Sequence, residues 1–312
     1  MDKTDIKLLS LLMEESRIPI TKLSKQLRIS REVATYRLNK LKKERIILDS
    51  VTEIDTDKLG YIGAAIFINI KSTKQKEFIN FIKSTGFVSW VAELSGMWNF
   101  GFSVYGRNND ELDSNFGIIH NKFRNDVIDH RFTLHRKSTF FYEKYFDASP
   151  KQSILNKFKD YKIDAKDKII LKELSKNSRL ESTKLAAKIK LTAPAVISRM
   201  KNLEQSGYIK KYSIFLDLKK LGLFQYSIFV INKNIDEKER LLAYLKEHKN
   251  ISFIAEYVGN EFLEFGLFVK NPYELREKLL EIEENFSDNR VMEISLFQKE
   301  FVSVGPPDNV FQ

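Results

Sequence analysis

The stretch LSKQLRISREVATYRL, residues 23–38, decides the fold, and LAAKIKLTAPAVISRM at 185–200 repeats its pattern 162 positions later. In the first stretch Leu23 and Leu27 mark a short amphipathic helix, Arg28-Ile29 a tight break, and Ser30 the N-cap hydroxyl of a further helix. That last helix turns Val33, Ala34, Leu38 and Leu41 inward. Leu185 and Ile189, Lys190-Leu191, Thr192, and then Ala195, Val196, Met200 and Leu203 run in the same order. Upstream, Ile6, Leu8, Leu9, Leu12 and Met13 make one apolar face, repeated by Ile170, Leu171 and Leu174. Three short helices with a tight turn before the last form a helix-turn-helix pattern.

The repeat extends in both directions. Asp5, Leu9, Leu12, Arg17, Arg37, Leu59 and Gly60 fall on Asp167, Leu171, Leu174, Arg179, Arg199, Leu221 and Gly222. After one added residue, Glu93, Gly96, Asn108 and Glu111 fall on Glu256, Gly259, Asn271 and Glu274. The chain is therefore two copies of one unit rather than a solenoid array.

The rest of each copy reads β-α-β-β-α-β. In copy one the strands are expected near 62–70, 88–94, 100–105 and 127–141, and the helices near 74–84 and 109–122. Asn271, Pro272 and Glu274 mark the start of the second helix in copy two. An antiparallel sheet with two helices on one face is ferredoxin-like, and its other face needs cover. Ile66, Ile68, Val91, Phe102 and Val104, with their counterparts, are read as that other face, pairing the two sheets. The expected class is α+β. Winged-helix-like helix-turn-helix modules occupy 1–50 and 164–215, ferredoxin-like modules 51–150 and 216–304, a linker 151–163 and a flexible tail 305–312.

Composition agrees with two folded halves. The 312 residues are 43% hydrophobic and 12% aromatic, with 12 Gly and 6 Pro, which excludes disordered, collagen-like and low-complexity classes. The absence of cysteine excludes disulfide scaffolds, thiolate zinc sites and cysteine nucleophiles, and fits a reducing interior. The opening Met1-Asp2-Lys3-Thr4-Asp5 is charged, and the longest apolar stretch, Tyr61 to Ile70, is half of the ~20 residues a membrane span needs. The expectation is a cytoplasmic protein without membrane association.

Charge is sorted by module. The net charge is +10, yet residues 1–50 carry +5 and 160–215 carry +7, while 51–150 balance and 216–312 carry −5. A nucleic-acid binder with a separate partner-binding body sorts its charge in this way. On the third helix Arg31, Glu32, Thr35, Tyr36, Asn39 and Lys40 face away from the apolar stripe, with Ser30 at its cap. Arg37 and Arg199 are read as phosphate clamps, with pairing to a nearby acid as the alternative. Copy two has Ala193, Pro194, Ile197 and Ser198 where copy one has Arg31, Glu32, Thr35 and Tyr36. Its DNA contacts are expected from Lys190, Thr192, Ser198, Arg199 and Lys201, with Lys210 and Lys211 near phosphates. Copy one then carries most of the selectivity, and copy two mostly affinity.

These residues resemble the Lrp/AsnC (feast/famine) transcriptional regulators over nearly the whole chain, twice. The resemblance rests on Asp5-x2-Leu8-Leu9-x2-Leu12, Ser16-Arg17 and Leu23-x3-Leu27-x-Ile29-Ser30-x6-Arg37-x3-Leu41. In copy two it rests on Asn177-Ser178-Arg179, Leu185-Ala186, Arg199, Leu203, Gly207, Tyr208 and Ile209, then Leu221-Gly222. It implies a sequence-specific regulator of double-stranded DNA, with no resident cofactor, whose ferredoxin-like module, called RAM, mediates dimerisation and in many members binds a small effector. One polypeptide would then form an intrachain pseudo-dimer. Arg45 stands where the family has the glycine seen at Gly207, so the turn leaving the third helix is expected to differ. The effector turn maps to Gly96, Trp98 and Asn99, and to Gly259 and Asn260, without the family's aspartate.

Two other readings stand beside this one. Some relatives of the architecture are siroheme-type tetrapyrrole decarboxylases, which would need histidines around a large cavity. Of His120, His130, His135 and His248, the second and third lie five apart on a predicted strand and point to opposite faces. No GxxxxGK, GxGxxG, HExxH or GxSxG is present, so no enzyme is expected. The third reading, a chromatin-like coating protein, predicts sequence-independent binding with a steep salt dependence.

Overall fold

The computed structural model describes residues 1–146, 159–259, 262–302 and 305–311. Copy one runs α1 (Lys3–Glu14), α2 (Ile20–Leu27), α3 (Arg31–Lys43), β1 (Ile47–Ile54), β2 (Ile62–Ile70), α4 (Gln75–Ser84), β3 (Val88–Gly96), β4 (Phe100–Gly106), α5 (Asn109–Lys122) and β5 (Val127–Phe140). Copy two repeats this as α6 (Ala165–Lys176), α7 (Ser182–Ile189), α8 (Ala193–Gln205), β6 (Ile209–Leu216), β7 (Phe224–Asn232), α9 (Ile235–Glu247), β8 (Ile251–Tyr257), β9 (Phe262–Val269), α10 (Pro272–Asn285) and β10 (Asn289–Val302). The elements gather into two units, which mix the copies: one takes the helix-turn-helix parts of both, the other the sheets of both.

In the helical unit, Leu8, Leu9, Leu12, Leu23, Leu27, Leu38 and Leu41 are buried in copy one. Ile170, Leu171, Leu174, Leu185, Val196, Met200 and Leu203 form one cluster in copy two. Ile6 and Val33, expected to face inward, are exposed. Ala34, Leu38 and Leu41 already complete the stripe of α3, and Val33 sits about 100° around the helix from Ala34. Asp2 with Asp5, and Asp164 with Asp167, close reciprocal capping boxes on α1 and α6.

The two helical modules are bound together by strands. β1 and β6 pair antiparallel, with Thr52 opposite Tyr212, so the ladder partners of each strand belong to the other copy. Around this ladder bonds cross between the copies in both directions, some of them between duplicated positions. The Ser16 amide donates to the Tyr212 carbonyl (3.0 Å) and the Ser178 amide to the Ser50 carbonyl (2.9 Å). The Ser16 and Ser178 hydroxyls meet at 2.6 Å. The Arg17 guanidinium donates to the carbonyls of Ser178 and Leu180, and that of Arg179 to the carbonyl of Ser16. Thr52 Oγ1 donates to the Leu174 carbonyl (2.6 Å) and Ser213 Oγ to the Met13 carbonyl (3.0 Å).

Two sequence boundaries move as a result. The helical unit reaches Tyr61 and Asp217 rather than residues 50 and 215, because the paired strands belong to it and Ile54 packs into the core of copy two. The tail expected to be flexible forms a turn at Asp308–Phe311 with Val310 and Phe311 buried. Phe311 joins the copy-two core, and the Tyr61 hydroxyl donates to the Asn309 carbonyl at 2.6 Å. Residues 151–158 of the expected linker lie outside the described residues.

In the second unit eight strands close into a barrel in the order β10-β3-β4-β2-β5-β8-β9-β7. Each copy keeps the ferredoxin-like order within it, β3-β4-β2-β5 and β8-β9-β7-β10. The long last strand of each copy pairs first with its own copy and then with the other: β5 with β2 and β8, β10 with β7 and β3. Ile66, Ile68, Val91, Phe102 and Val104 pack against Phe78, Ile82, Leu112, Phe116 and Ile119 of α4 and α5. They face the helices, which corrects the expected sheet-to-sheet role. The face shared by the two sheets is the lumen, filled by Ala65, Phe67, Ala92, Leu94, Trp98, Phe229, Phe253, Ala255, Tyr257 and Phe297. Strands buried on both faces show no alternation from which to tell one face from the other. Among the described residues no helix is long and apolar enough to cross a membrane.

Candidate nucleic-acid interface

Both helix-turn-helix breaks are built without glycine. Arg28 and Lys190 cap α2 and α7 in the left-handed region, at φ 57° and 53°. A non-glycine residue there costs roughly 1 kcal/mol, which the packed helices on either side must outweigh. Ser30 Oγ then accepts from the Val33 amide (3.2 Å) and Thr192 Oγ1 from the Ala195 amide (3.4 Å), starting α3 and α8. The turns leaving these helices also match, since Arg45 takes φ 56° where Gly207 takes 77°. The missing glycine therefore changes the cost of the turn and not its shape, contrary to the sequence expectation.

On α3 the side chains of Arg31, Glu32, Thr35, Tyr36, Asn39 and Lys40 are all exposed. Thr35 Oγ1 bonds back to the Arg31 carbonyl (2.8 Å), and Lys40 Nζ lies 4.0 Å from Glu44. The Glu32 carboxyl is held below its usual range by its own backbone amide and by Ser30. Lys190, Thr192, Ser198 and Lys201 are exposed around α8, and Lys210 pairs with Asp55 at 3.1 Å. Arg37 and Arg199 are each paired with two acids. Arg37 bonds Asp2 and Asp5 at 2.7 Å each, and Arg199 bonds Asp164 and Asp167 at 2.9 Å each. These bonds raise the pKa of both guanidiniums. Each arginine ties the third helix to the capped start of the first, which is the acid pairing expected as the alternative to a phosphate clamp.

This geometry has relatives. A winged helix-turn-helix DNA-binding model matches residues 1–47 and 163–210. The HTH-type transcriptional regulator LrpC of Bacillus subtilis is 39% identical over 98 residues, covering 31% of this chain and 68% of that protein. The chain belongs to the Lrp/AsnC family. An uncharacterized HTH-type transcriptional regulator of Pyrococcus furiosus is 32% identical over 148 residues, covering 46% of this chain and 96% of its own. Nearly the whole of that relative thus aligns with less than half of this chain. Over full length the chain shares its fold with the siroheme decarboxylase NirDL, at a TM-score of 0.66 and 15% identity, covering 99% of this chain and 96% of that one.

The expected Lrp/AsnC effector turn is engaged in structure. Gly96 takes φ +144°, and a Cβ there would stand 2.5 Å from the Ile294 carbonyl oxygen. Asn99 accepts from the Ile70 amide (3.0 Å), while its own amide donates to Asn69 Oδ1 (2.9 Å). Trp98 is buried in the lumen, its indole N–H donating to Glu293 Oε2 at 2.8 Å. Gly259 takes φ +104°, and Asn260 lies outside the described residues.

Around Trp98 runs a polar network absent from the sequence reading. Arg131 pairs with Glu293 and lies over the rings of Trp98 and Phe229. Glu264 accepts from the Ser227 hydroxyl (2.5 Å) and from the Tyr257 hydroxyl. Burial pushes the Glu264 carboxyl up to about 7, and pushes His135, whose ring lies beside Tyr257, down to about 4. The sequence did not signal this network: at the shift that sets Glu93 on Glu256 and Asn108 on Asn271, Arg131 falls on Ile294, and only strand register, with Arg131 opposite Phe67 and Glu293 opposite Phe229, brings the two into correspondence.

Proposed function

We propose that this Lrp/AsnC member is a transcriptional regulator that binds double-stranded DNA through α3 and α8, with its two halves serving as an intrachain pseudo-dimer. The observation that carries the reading is the β1–β6 ladder, which joins two helix-turn-helix modules of net positive charge while leaving the outward side chains of α3 exposed. Copy one supplies most hydrogen-bonding base contacts, with Arg31, Glu32, Tyr36, Asn39 and Lys40 as readers. Copy two contributes phosphate contacts through Lys190 and Lys201. The barrel is the body on which a small effector would act. No catalytic role is assigned, and the workplace is the cytoplasm, where such a regulator meets DNA.

The test is selection of genomic fragments by the purified chain at two salt concentrations, followed by sequencing. The expected outcome is one asymmetric site whose preference survives the higher salt. Arg31→Ala then relaxes preference at one base pair by ~1–3 kcal/mol, while Lys201→Ala weakens all sequences alike and lowers the salt slope by about one ion. Uniform recovery that vanishes with salt would establish a coating protein instead. Failure to bind at either salt would end the regulator reading.

A further inference from the structure

The first turns of α8 have almost no hydrogen-bonding reach. Ala193 carries no polar group, and Pro194 lacks both a polar side chain and a backbone N–H. The Thr192 hydroxyl caps the helix, and the Arg199 guanidinium is held by Asp164 and Asp167. Yet at the centre of this face Ile197 leaves 55% of its surface in water. The core stripe of the helix is already complete with Val196, Met200 and Leu203. At about 100° per residue, Pro194, Ile197, Ser198 and Lys201 share one outward arc. An isoleucine there, flanked by a lysine that can reach a phosphate, offers a groove an apolar contact and no hydrogen bond. In the major groove the apolar feature a base edge presents is the C5-methyl group of thymine.

We infer that Ile197 is a specificity-determining residue of copy two, reading a thymine methyl in the half-site beneath α8. The inference rests on the DNA-binding reading above and adds to it a chemistry: α3 reads by hydrogen bonds, α8 by methyl contact. Copy two therefore specifies an A·T pair at one position rather than serving affinity alone.

The experiment uses the full chain and the fragment recovered by selection. Each thymine of the α8 half-site is replaced in turn by deoxyuridine, which removes only the methyl group, and affinity is measured by fluorescence anisotropy at one salt concentration. One replacement is expected to weaken binding about three- to tenfold, the size of one lost methyl contact. Ile197→Ala should show the same loss on thymine DNA and no further loss on the deoxyuridine fragment. Its melting temperature should stay unchanged, because the side chain lies outside the core. Indifference of the unaltered chain to every deoxyuridine would overturn the inference and leave the regulator reading standing. So would an Ile197→Ala variant that keeps full sensitivity to the methyl. Absence of any selected site would overturn the regulator reading itself, and the inference with it.

Discussion

The two places where the copies meet are built on opposite plans. In the helical unit the matched residues stayed alike and meet their own duplicates: Ser16 touches Ser178, and Arg17 and Arg179 reach across to carbonyls of the other copy. In the barrel lumen the matched residues diverged to complement one another: Arg131 faces Glu293, and where copy one has Ala65 and Gly101, copy two has Ser227 and Glu264 bonded together. A like-with-like contact can form between any two copies, as between identical subunits. A complementary one forms only between a first and a second copy. Two first copies would oppose Arg131 to Arg131, and two second copies would bring together four carboxyls from Glu264 and Glu293. The duplication is thus selective by charge in its barrel, while in its helical unit a like-with-like centre at Ser16 and Ser178 is flanked by copy-specific bonds from Thr52 and Ser213, whose duplicates are Ile214 and Val51.

The largest effect should come from breaking the complementary side. Arg131→Glu places a third carboxylate beside Glu293 and Glu264, and a loss of about 3–5 kcal/mol is expected in denaturant unfolding. Combining it with Glu293→Arg should recover part of that loss, and replacing both residues by Met should cost about 1–3 kcal/mol, because the buried Trp98 indole N–H then loses its acceptor. A near-neutral Arg131→Glu would remove the contrast altogether.

Next comes pH. A carboxyl raised from 4.5 to about 7 binds its proton in the folded state while the unfolded chain has released it, so its contribution to stability is full below about 4.5 and is lost as pH rises through about 7. Glu300, bonded to the Trp90 indole and also raised to about 7, acts in the same sense, while His135 opposes both at lower pH. A difference experiment isolates Glu264. Glu264→Gln should match the unaltered chain near pH 4.5 and exceed its stability by on the order of 2 kcal/mol at pH 8. A gap that does not change with pH would disprove the assignment.

The symmetric side should respond symmetrically. Ser16→Ala and Ser178→Ala each leave one buried hydroxyl without its partner, so each should cost about 1–2 kcal/mol, and the double variant less than the two together. Unequal single losses would show that the two hydroxyls are not equivalent in their surroundings. The smallest change is Arg45→Gly, which removes left-handed strain at a turn that copy two already builds with glycine. Stabilisation of about 0.5 kcal/mol is expected by thermal melting.

Much of the fold was legible because it rests on local signals. The predicted strands and helices of copy one lie within two residues of those observed, since caps such as Asn108 and Asn271 and the strand-length apolar runs act within a few residues of themselves. The outward residues of α3 were legible for the same reason, from the spacing of Ala34, Leu38 and Leu41. Val33 and Ile6 were misread because an apolar residue beside a stripe resembles one within it. The role of Arg37 was open, since a basic side chain on a DNA-binding module suits a phosphate or an acid equally well. Only the tertiary structure shows that Asp2 and Asp5, across the module, supply the acid.

By itself, the sequence determined the duplication, the order of the elements other than the unread β1 and β6, the sorting of charge into the helical modules and the turn chemistry, all of which depend on composition or on neighbours along the chain. The tertiary structure alone decided which sheet face meets helices and which meets the other sheet, because β2 and its neighbours are apolar on both sides. It alone decided that β1 pairs with β6, that residues 308–311 anchor against copy two, and that Arg131 meets Glu293. Each of these joins residues more than a hundred positions apart, where pairing is set by closing the barrel and satisfying buried backbone and charge, and not by any preference of the segments themselves.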